Sequence, residues 1–344
     1  MKKIRIAQIG TGHDHAPAVF STLRRLPELF DVVGYAEVPE DDGACVSEAY
    51  KGAKKYKAEE LLAMKDLDAV AIETFDLNLV PYARKAAEKG LHIYMDKAAG
   101  ESAEDFETLL SVVKAKKLAF SIGYMYRFNP QVKRAFERVK NGEIGRVYSV
   151  EAEMNCYYGK EKREWLGKFR GGMMQYLGCH LIDLVVRLQG VPEKIVPYNT
   201  ATGADGVRTK DFGLAVLKYK NGISVVKSSM LDACGPVRRH LLIYGEKGTI
   251  DVRPMEMYAG GDHGHLNGLT AKSTVYKPEE GWYGAGKTEE SGVFDRYEEM
   301  LSAFAEKVRG ERGYEPDLET EARVERCLLA ADGIPCDFKA EIKL

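Results

Sequence analysis

Apolar and polar positions follow two rhythms along this chain, and the change falls near residue 122. Up to that point short apolar runs, "IRIAQIG", "VVGYAE", "AVAIE", "HIYMD" and "AFSIG", alternate with amphipathic stretches of helical period. Runs of that length predict strands of a parallel sheet, and "AEELLAM", "LVPYARKAAEKG" and "AEDFETLLSVVKAKK" predict three of its helical crossovers. The last two end in lysine-bearing turns, as the helix dipole favours. Residues 1–122 are therefore expected to form a doubly wound α/β domain.

Beyond "RFNPQVKRAFERVKNGEIG", a helix stopped at Asn141-Gly142, the segments lengthen into strand patterns: "RVYSVEAEMNCYY", "FGLAVLKYKNGISVVKSSML" and "RRHLLIYGEKGTIDV". Asn221-Gly222 predicts a tight hairpin turn with positive backbone angles. Consecutive hairpins predict a second, α+β domain over 123–344 with a large, mostly antiparallel sheet. One helix interrupts it, "GGMMQYLGCHLIDLVVRLQG". Its apolar stripe is Leu177, Leu181, Leu184 and Leu188, and the next stripe is Tyr176, His180, Asp183 and Arg187. "FDRYEEMLSAFAEKVRGE" and "LETEARVERCLLAADG" predict two more helices.

Composition narrows the function classes. With 344 residues, 45% hydrophobic and 30% charged, two domains are expected, and a formal net charge of −2 offers no attraction to nucleic acid or an anionic membrane. Arg5 and Gln8 interrupt the first apolar run, and no run is long enough to span a bilayer, so a cytoplasmic protein is expected. The six cysteines, Cys45, Cys156, Cys179, Cys234, Cys327 and Cys336, lack paired spacing and are expected to be reduced. The pairs His13/His15 and His263/His265 lack helical i, i+4 spacing and a carboxylate arrangement, so no metal is expected.

The first strand runs into "QIGTGHDHA". Gly10 and Gly12 have the spacing of a dinucleotide turn, while His15 stands where a third glycine would let helix and strand pack closely. Gly10 supplies the turn and Gly12 a close backbone approach to pyrophosphate; His13 and His15 could bond the phosphates or reach the nicotinamide. The second strand ends in Glu37, about where an acid meets the adenosine ribose. The acids behind it, Glu40, Asp41 and Asp42, would repel a 2′-phosphate and favour NAD over NADP. A solvated carboxylate at a strand end is the other reading of Glu37.

The ordered segments "IRIAQIGTGHDHA", "DAVAIETFD", "AAEKGLHIYMDKAAG", "IGYMYRFNPQVKRAFERVKNGEIGRVYSVEAE", "EWLGKFRGGMMQYLGCHLIDLVVRLQG" and "YGEKGTIDV" resemble the Gfo/Idh/MocA oxidoreductases over most of the chain. The resemblance implies an N-terminal Rossmann domain, a C-terminal domain on a large open sheet, a nicotinamide dinucleotide and a sugar, cyclitol or related polyol as substrate. It also implies a homodimer or homotetramer, in line with a sheet that has too few helices to cover both faces. It places cofactor contacts on Gly10, Thr11, Gly12, His13, His15, Glu37, Thr74, Phe75, Asp76, Asp96, Lys97 and Arg127. Substrate contacts fall on Lys97, Tyr126, Trp165, Tyr176 and His180.

The family's Glu-Lys-Pro motif reads Asp96-Lys97-Ala98 here, and by that pattern Lys97 reaches the reacting hydroxyl, where an ammonium favours the alkoxide as hydride leaves. The family's Asp-x-Gly-x-His motif reads "YLGCH". His180 is kept as a base of near-neutral pKa, and Tyr176 replaces the acid. A phenol of ordinary pKa near ~10 is neutral and cannot supply an aspartate's charge. Three readings follow: Tyr176 stacks on or hydrogen-bonds a sugar ring, acts as an acid in a lysine-lowered state, or marks a site without ordinary dehydrogenase activity. Trp165 matches a family tryptophan and offers a platform for a sugar face, with Tyr157 and Tyr158 near it in sequence; core packing is the other reading of each. The leading expectation is an NAD-dependent dehydrogenase that oxidises a secondary hydroxyl to a ketone. A redox-neutral epimerase or lyase with tightly held NAD, and a non-catalytic sugar or nucleotide sensor, are the alternatives.

Overall fold

The run Ile4–Ile9 forms β1, with Ile6, Ala7 and Ile9 fully buried. Gln8, the polar residue within it, is also buried, and its side-chain amide donates to the Gly10 carbonyl and the Tyr50 hydroxyl. The computed structural model describes residues 2–41, 47–259, 267–311 and 317–344, so Asp42, Cys45, His263 and His265 lie outside the described residues. The chain divides into two compact units. The first comprises Met1–Met125, Tyr297–Ala322 and Glu341–Leu344; the second comprises Tyr126–Arg296 and Arg323–Ala340. The two C-terminal segments of the first unit lie past the division at residue 122.

In the first unit, α1 (Ala16–Arg25) follows β1. After it come β2 (Phe30–Ala36), β3 (Lys55–Tyr56), α2 (Ala58–Leu62), β4 (Ala69–Ile72), α3 (Leu79–Glu88), β5 (His92–Met95), α4 (Ala103–Ala115) and β6 (Phe120–Ile122). The six strands are all parallel, in the order β3-β2-β1-β4-β5-β6. Strand order reverses between β1 and β4, and in such sheets ligands bind beyond the carboxyl ends of the strands at that reversal. β4 is Ala-Val-Ala-Ile and wholly buried, as a strand covered on both faces must be.

The second unit opens with α5 (Pro130–Lys140). Asn129 caps it, accepting from the Gln131 and Val132 amides, and Gly142 ends it at φ 72°. The elements β7 (Val147–Asn155), α6 (Lys160–Trp165), α7 (Cys179–Gln189), β8 (Lys194–Pro197), β9 (Phe212–Tyr219) and β10 (Gly222–Ser229) follow. Next are β11 (His240–Gly245), β12 (Gly248–Val252), β13 (Met257–Tyr258), β14 (Asn267–Thr270), β15 (Lys272–Tyr276), β16 (Lys287–Glu290) and β17 (Phe294–Asp295). Eight strands form one sheet, β16-β15-β12-β11-β7-β10-β9-β8, antiparallel except where β10 pairs with β7; β13, β14 and β17 form a small sheet. One face of the large sheet buries Val150, Ala152, Met154, Ala215, Val226, Ile243 and Ile250, and α5 and α7 pack against its strands.

The β9/β10 hairpin is present, but Tyr219 pairs with Gly222, so the turn residues are Lys220 and Asn221. Neither Asn221 nor Gly222 has the positive φ expected from the sequence. Gly222 answers a different demand: a Cβ there would lie 1.7 Å from the Tyr148 carbonyl oxygen of β7. α7 departs from its two-stripe expectation, because Cys179 to Val186 are all buried. Buried Asp183 is compensated: it accepts two hydrogen bonds from Arg127, at 2.9 Å and 2.6 Å.

That pair yields a stability prediction. Asp183→Ala leaves a buried guanidinium facing an apolar gap and is expected to cost about 3–5 kcal/mol in urea unfolding. The double variant Arg127→Met/Asp183→Leu should recover most of that loss. A double variant no more stable than Asp183→Ala would contradict this account of the pair.

Candidate active site

The first unit gathers its ionisable residues where β1, β4 and β5 end. Gly10 takes φ +90°, and a Cβ on it would lie 2.4 Å from the Thr74 nitrogen, so the glycine lets the β1 turn close on the segment after β4. His13, Glu73, Thr74, Asp76, Asp96 and Lys97 are all buried here. His13 donates from Nε2 to the Lys97 carbonyl at 2.9 Å, with Asp76 3.6 Å away. The His15 amide donates to His13 Nδ1 at 3.1 Å, and the His15 ring donates from Nδ1 to Asp96 at 3.2 Å. Asp96 also accepts from the Lys97 amide at 2.7 Å. A side chain on Gly123 would come within 2.7 Å of the same carboxylate oxygen. The Lys97–Ala98 peptide, where the family motif has proline, is cis.

The charges divide unevenly among these groups. Burial penalises the charged ring of His13, but the carboxylates of Asp96 and Asp76 outweigh it and raise its pKa above the ordinary value. His15 is pulled down to about 4, chiefly by burial, so it is neutral at physiological pH. Burial opposes ionisation of Asp96 too, yet His13, His15 and Lys97 together hold its pKa below the usual range. Glu73 is raised well above its ordinary value by burial and by Asp96, and in its protonated form it donates to Asp96. The carboxylates that the sequence did not place beside His13 and His15 are thus supplied by β4 and β5. His13, His15 and Asp96 bring their donor atoms within 4.8 Å of one another. Of those atoms, His15 Nδ1 is hydrogen-bonded to Asp96, and His13 Nδ1 lies 3.4 Å from the same carboxylate.

Two residues of the cofactor expectation sit otherwise than expected. Glu37, just past β2, pairs with Lys55 at 2.7 Å, so part of its charge is already answered. Asp41 is no solvated acid: it is buried, accepting from the Thr11 amide at 2.7 Å, the Gly12 amide at 3.0 Å and the Phe75 amide at 2.8 Å. A dinucleotide fits the strand order, the Gly10 turn and the acid after β2, and it fits the turn amides once Asp41 has left them.

The second unit gathers Tyr126, Trp165, Tyr176 and His180 with residues not anticipated from the sequence. A turn of π-helix, Met174–Gly178, leads into α7, and such turns are common at functional sites. The His180 ring meets Tyr126 edge to face at 5.1 Å. Tyr176 packs on Trp165 at 5.6 Å, and the Lys162 ammonium sits over the Trp165 ring at 3.4 Å. Tyr157 is exposed, and Trp165 also packs against Phe169. The Tyr126 hydroxyl donates to Glu256 at 2.7 Å and accepts from Arg239 at 2.9 Å, while Arg239 and Arg296 both pair with Glu256. Arg127, expected at the cofactor, pairs with Asp183 at 2.6 Å. Glu256 gave one signal in sequence, a lone acid in "RPMEM"; Glu73 gave another, an acid closing an apolar strand.

A parallel sheet that reverses at a glycine turn, joined in one chain to a large mixed sheet, defines a two-unit protein with a Rossmann-like nucleotide-binding fold. In its C-terminal part the chain matches the Gfo/Idh/MocA family. Residues 132–251 match the model described as the GFO/IDH/MocA C-terminal domain. It is 26% identical over 268 residues to D-xylose 1-dehydrogenase (NADP(+)) 2 of Haloferax volcanii, covering 77% of each chain. Among solved structures it resembles UDP-N-acetylglucosamine 3-dehydrogenase GnnA from Acidithiobacillus ferrooxidans, with a TM-score of 0.74, 18% identity and coverage of 97% and 98%. It also resembles KijD10, a 3-ketoreductase from Actinomadura kijaniata, with a TM-score of 0.75, 18% identity and 96% coverage of both chains.

The Glu256 network predicts an acid limb of stability. Burial alone would raise Glu256, but Arg296 and Arg239 hold it down to about 2, against an ordinary 4.5. A depressed folded pKa gives stability that is present above the unfolded value and is lost as pH falls from 4.5 towards 2. The loss is about 3 kcal/mol. Glu256→Gln should flatten that limb in urea unfolding measured between pH 6 and pH 3. An unchanged limb would contradict the assignment.

Proposed function

We propose that this oxidoreductase is a nicotinamide-dependent dehydrogenase that oxidises a secondary hydroxyl of a sugar, glycoside or cyclitol to a ketone. The observation that carries the reading is the buried Lys97, which follows β5, the neighbour of β4 in the parallel sheet. His13 fastens the Lys97 carbonyl and Asp96 its amide, so the backbone that aims the ammonium is braced on both sides. An ammonium so placed holds the substrate oxygen and favours its alkoxide. A bound nicotinamide supplies the hydride acceptor. His180 takes the hydroxyl proton in the family pattern, and the edge of Tyr126 steadies its ring.

NAD is the proposed cofactor, on the acid at Glu37, and Lys55 narrows that preference by answering part of its charge. The NADP(+) in the name of the Haloferax relative makes the comparison of both cofactors essential. The test is nicotinamide absorbance with purified protein against sugars, glycosides, inositols and their keto forms, with NAD and NADP in parallel. Turnover with at least one polyol is expected, and Lys97→Ala should cut it by about 10²-fold or more while leaving cofactor affinity nearly intact. Turnover unaffected by Lys97→Ala would overturn the role given to Lys97. A bound cofactor that cycles without net reduction would favour the epimerase or lyase reading, and stoichiometric binding without turnover the sensor reading.

A homodimer or homotetramer is also proposed. The outer face of the large sheet carries half-exposed Leu214, Val216, Val225 and Leu242 beside exposed Ile223, an apolar surface suited to a second copy. Light scattering at micromolar concentration should give at least twice the mass of one chain. A monomer mass would refute the proposal.

A further inference from the structure

We infer that Asp41 occupies the phosphate seat of the glycine turn, and that a dinucleotide enters only by displacing it. The inference rests on the dinucleotide reading above and adds a residue that sets cofactor affinity. Backbone amides of a glycine turn bind phosphate because their N–H groups converge on one point without a side chain in the way. Here that point is taken. One oxygen of Asp41 accepts from Thr11 at 2.7 Å and Gly12 at 3.0 Å, and the other accepts from Phe75 at 2.8 Å.

The neighbouring amides are committed as well. Gly10 donates to the Ala36 carbonyl at 2.7 Å, His13 to the Glu73 carbonyl at 3.0 Å, and His15 to the His13 ring. A Cβ on Gly12 would lie 2.4 Å from Asp41 Oδ1, so the bare glycine makes room for the carboxylate, and the same gap is the approach that a phosphate would use. An incoming diphosphate cannot share this seat with Asp41, because two anions would then converge on one set of donors beside Asp76 and Asp96. Exchange is the remaining route. Burial raises the Asp41 carboxyl above its ordinary pKa despite the three amide bonds, which marks a carboxylate held there at a cost that departure relieves.

An internal competitor lowers apparent affinity by the fraction of molecules in which the seat is empty. Removing it should therefore tighten binding without adding any contact. The experiment titrates NAD, and separately inorganic pyrophosphate, into the full-length protein and its Asp41→Ala and Asp41→Asn variants by calorimetry. Circular dichroism confirms the fold of each. Both probes are expected to bind Asp41→Ala at least about tenfold tighter than the parent, with Asp41→Asn in between, since its amide oxygen still accepts but carries no charge. Should Asp41→Ala misfold, the Asp41→Asn comparison decides alone. NAD affinity that is equal or weaker in folded Asp41 variants overturns the inference, makes Asp41 a brace of the turn, and leaves the dinucleotide reading standing. Pyrophosphate that tightens while NAD binds none of the proteins supports the seat and overturns the dinucleotide reading. Failure of both probes with all proteins overturns both.

Discussion

Burial of ionisable side chains at the ends of β1, β4 and β5 is the constraint on which the first unit depends. Each buried charge costs several kcal/mol unless an opposite charge or hydrogen bonds compensate it. Glu73, Asp76 and Asp96 are set against Lys97 and His13: burial and Asp96 favour the protonated form of Glu73, burial keeps His15 neutral, and the neighbouring His13 and Lys97 hold Asp96 ionised. The backbone follows from that balance. His13 ties the β1 turn to the residue after Asp96, and His15 ties the start of α1 to Asp96 itself. The missing third glycine is thereby replaced by a polar fastening, and the lysine that the motif lacks a proline to constrain is held through its own backbone atoms.

The second unit solves the same problem with arginine. A chain of Tyr126, Arg239, Arg296 and Glu256 leaves the carboxylate with more donors than it needs to remain charged. Burial then drives the Tyr126 hydroxyl upward, so it stays protonated and keeps its edge towards His180. Tyr176 takes part in a separate aromatic group with Trp165, and the cation over that tryptophan is Lys162. Of the three readings of Tyr176, a hydrogen-bonding or stacking partner agrees best with a ring that meets the Trp165 indole edge-on and has the Lys162 ammonium 5.2 Å from its centre.

Much of this architecture was legible in the chain. Apolar runs such as "AVAIE" and "HIYMD" located β4 and β5, because a strand covered on both faces has no polar alternation to blur it. The β9/β10 hairpin was legible too, although its turn slid one residue, since Gly222 serves a neighbouring carbonyl rather than a left-handed backbone. Partners far apart in sequence were not legible. Asp41 looked like one acid of a solvated group, and only the fold shows it folded back onto residues about 30 positions earlier. Likewise the four-residue step from Tyr176 to His180 was counted as one turn of α-helix, but a π-turn runs through it and the two rings meet different aromatic neighbours.

A crystal structure of the protein soaked with NAD would test the central claim most directly, that the β1 turn is a dinucleotide seat guarded by its own carboxylate. The account predicts diphosphate density against the Thr11 and Gly12 amides, Asp41 turned away, and the His13 and Asp96 contacts to Lys97 intact. Saturating soaks that leave Asp41 on those amides, with the nucleotide absent or bound elsewhere, would contradict it.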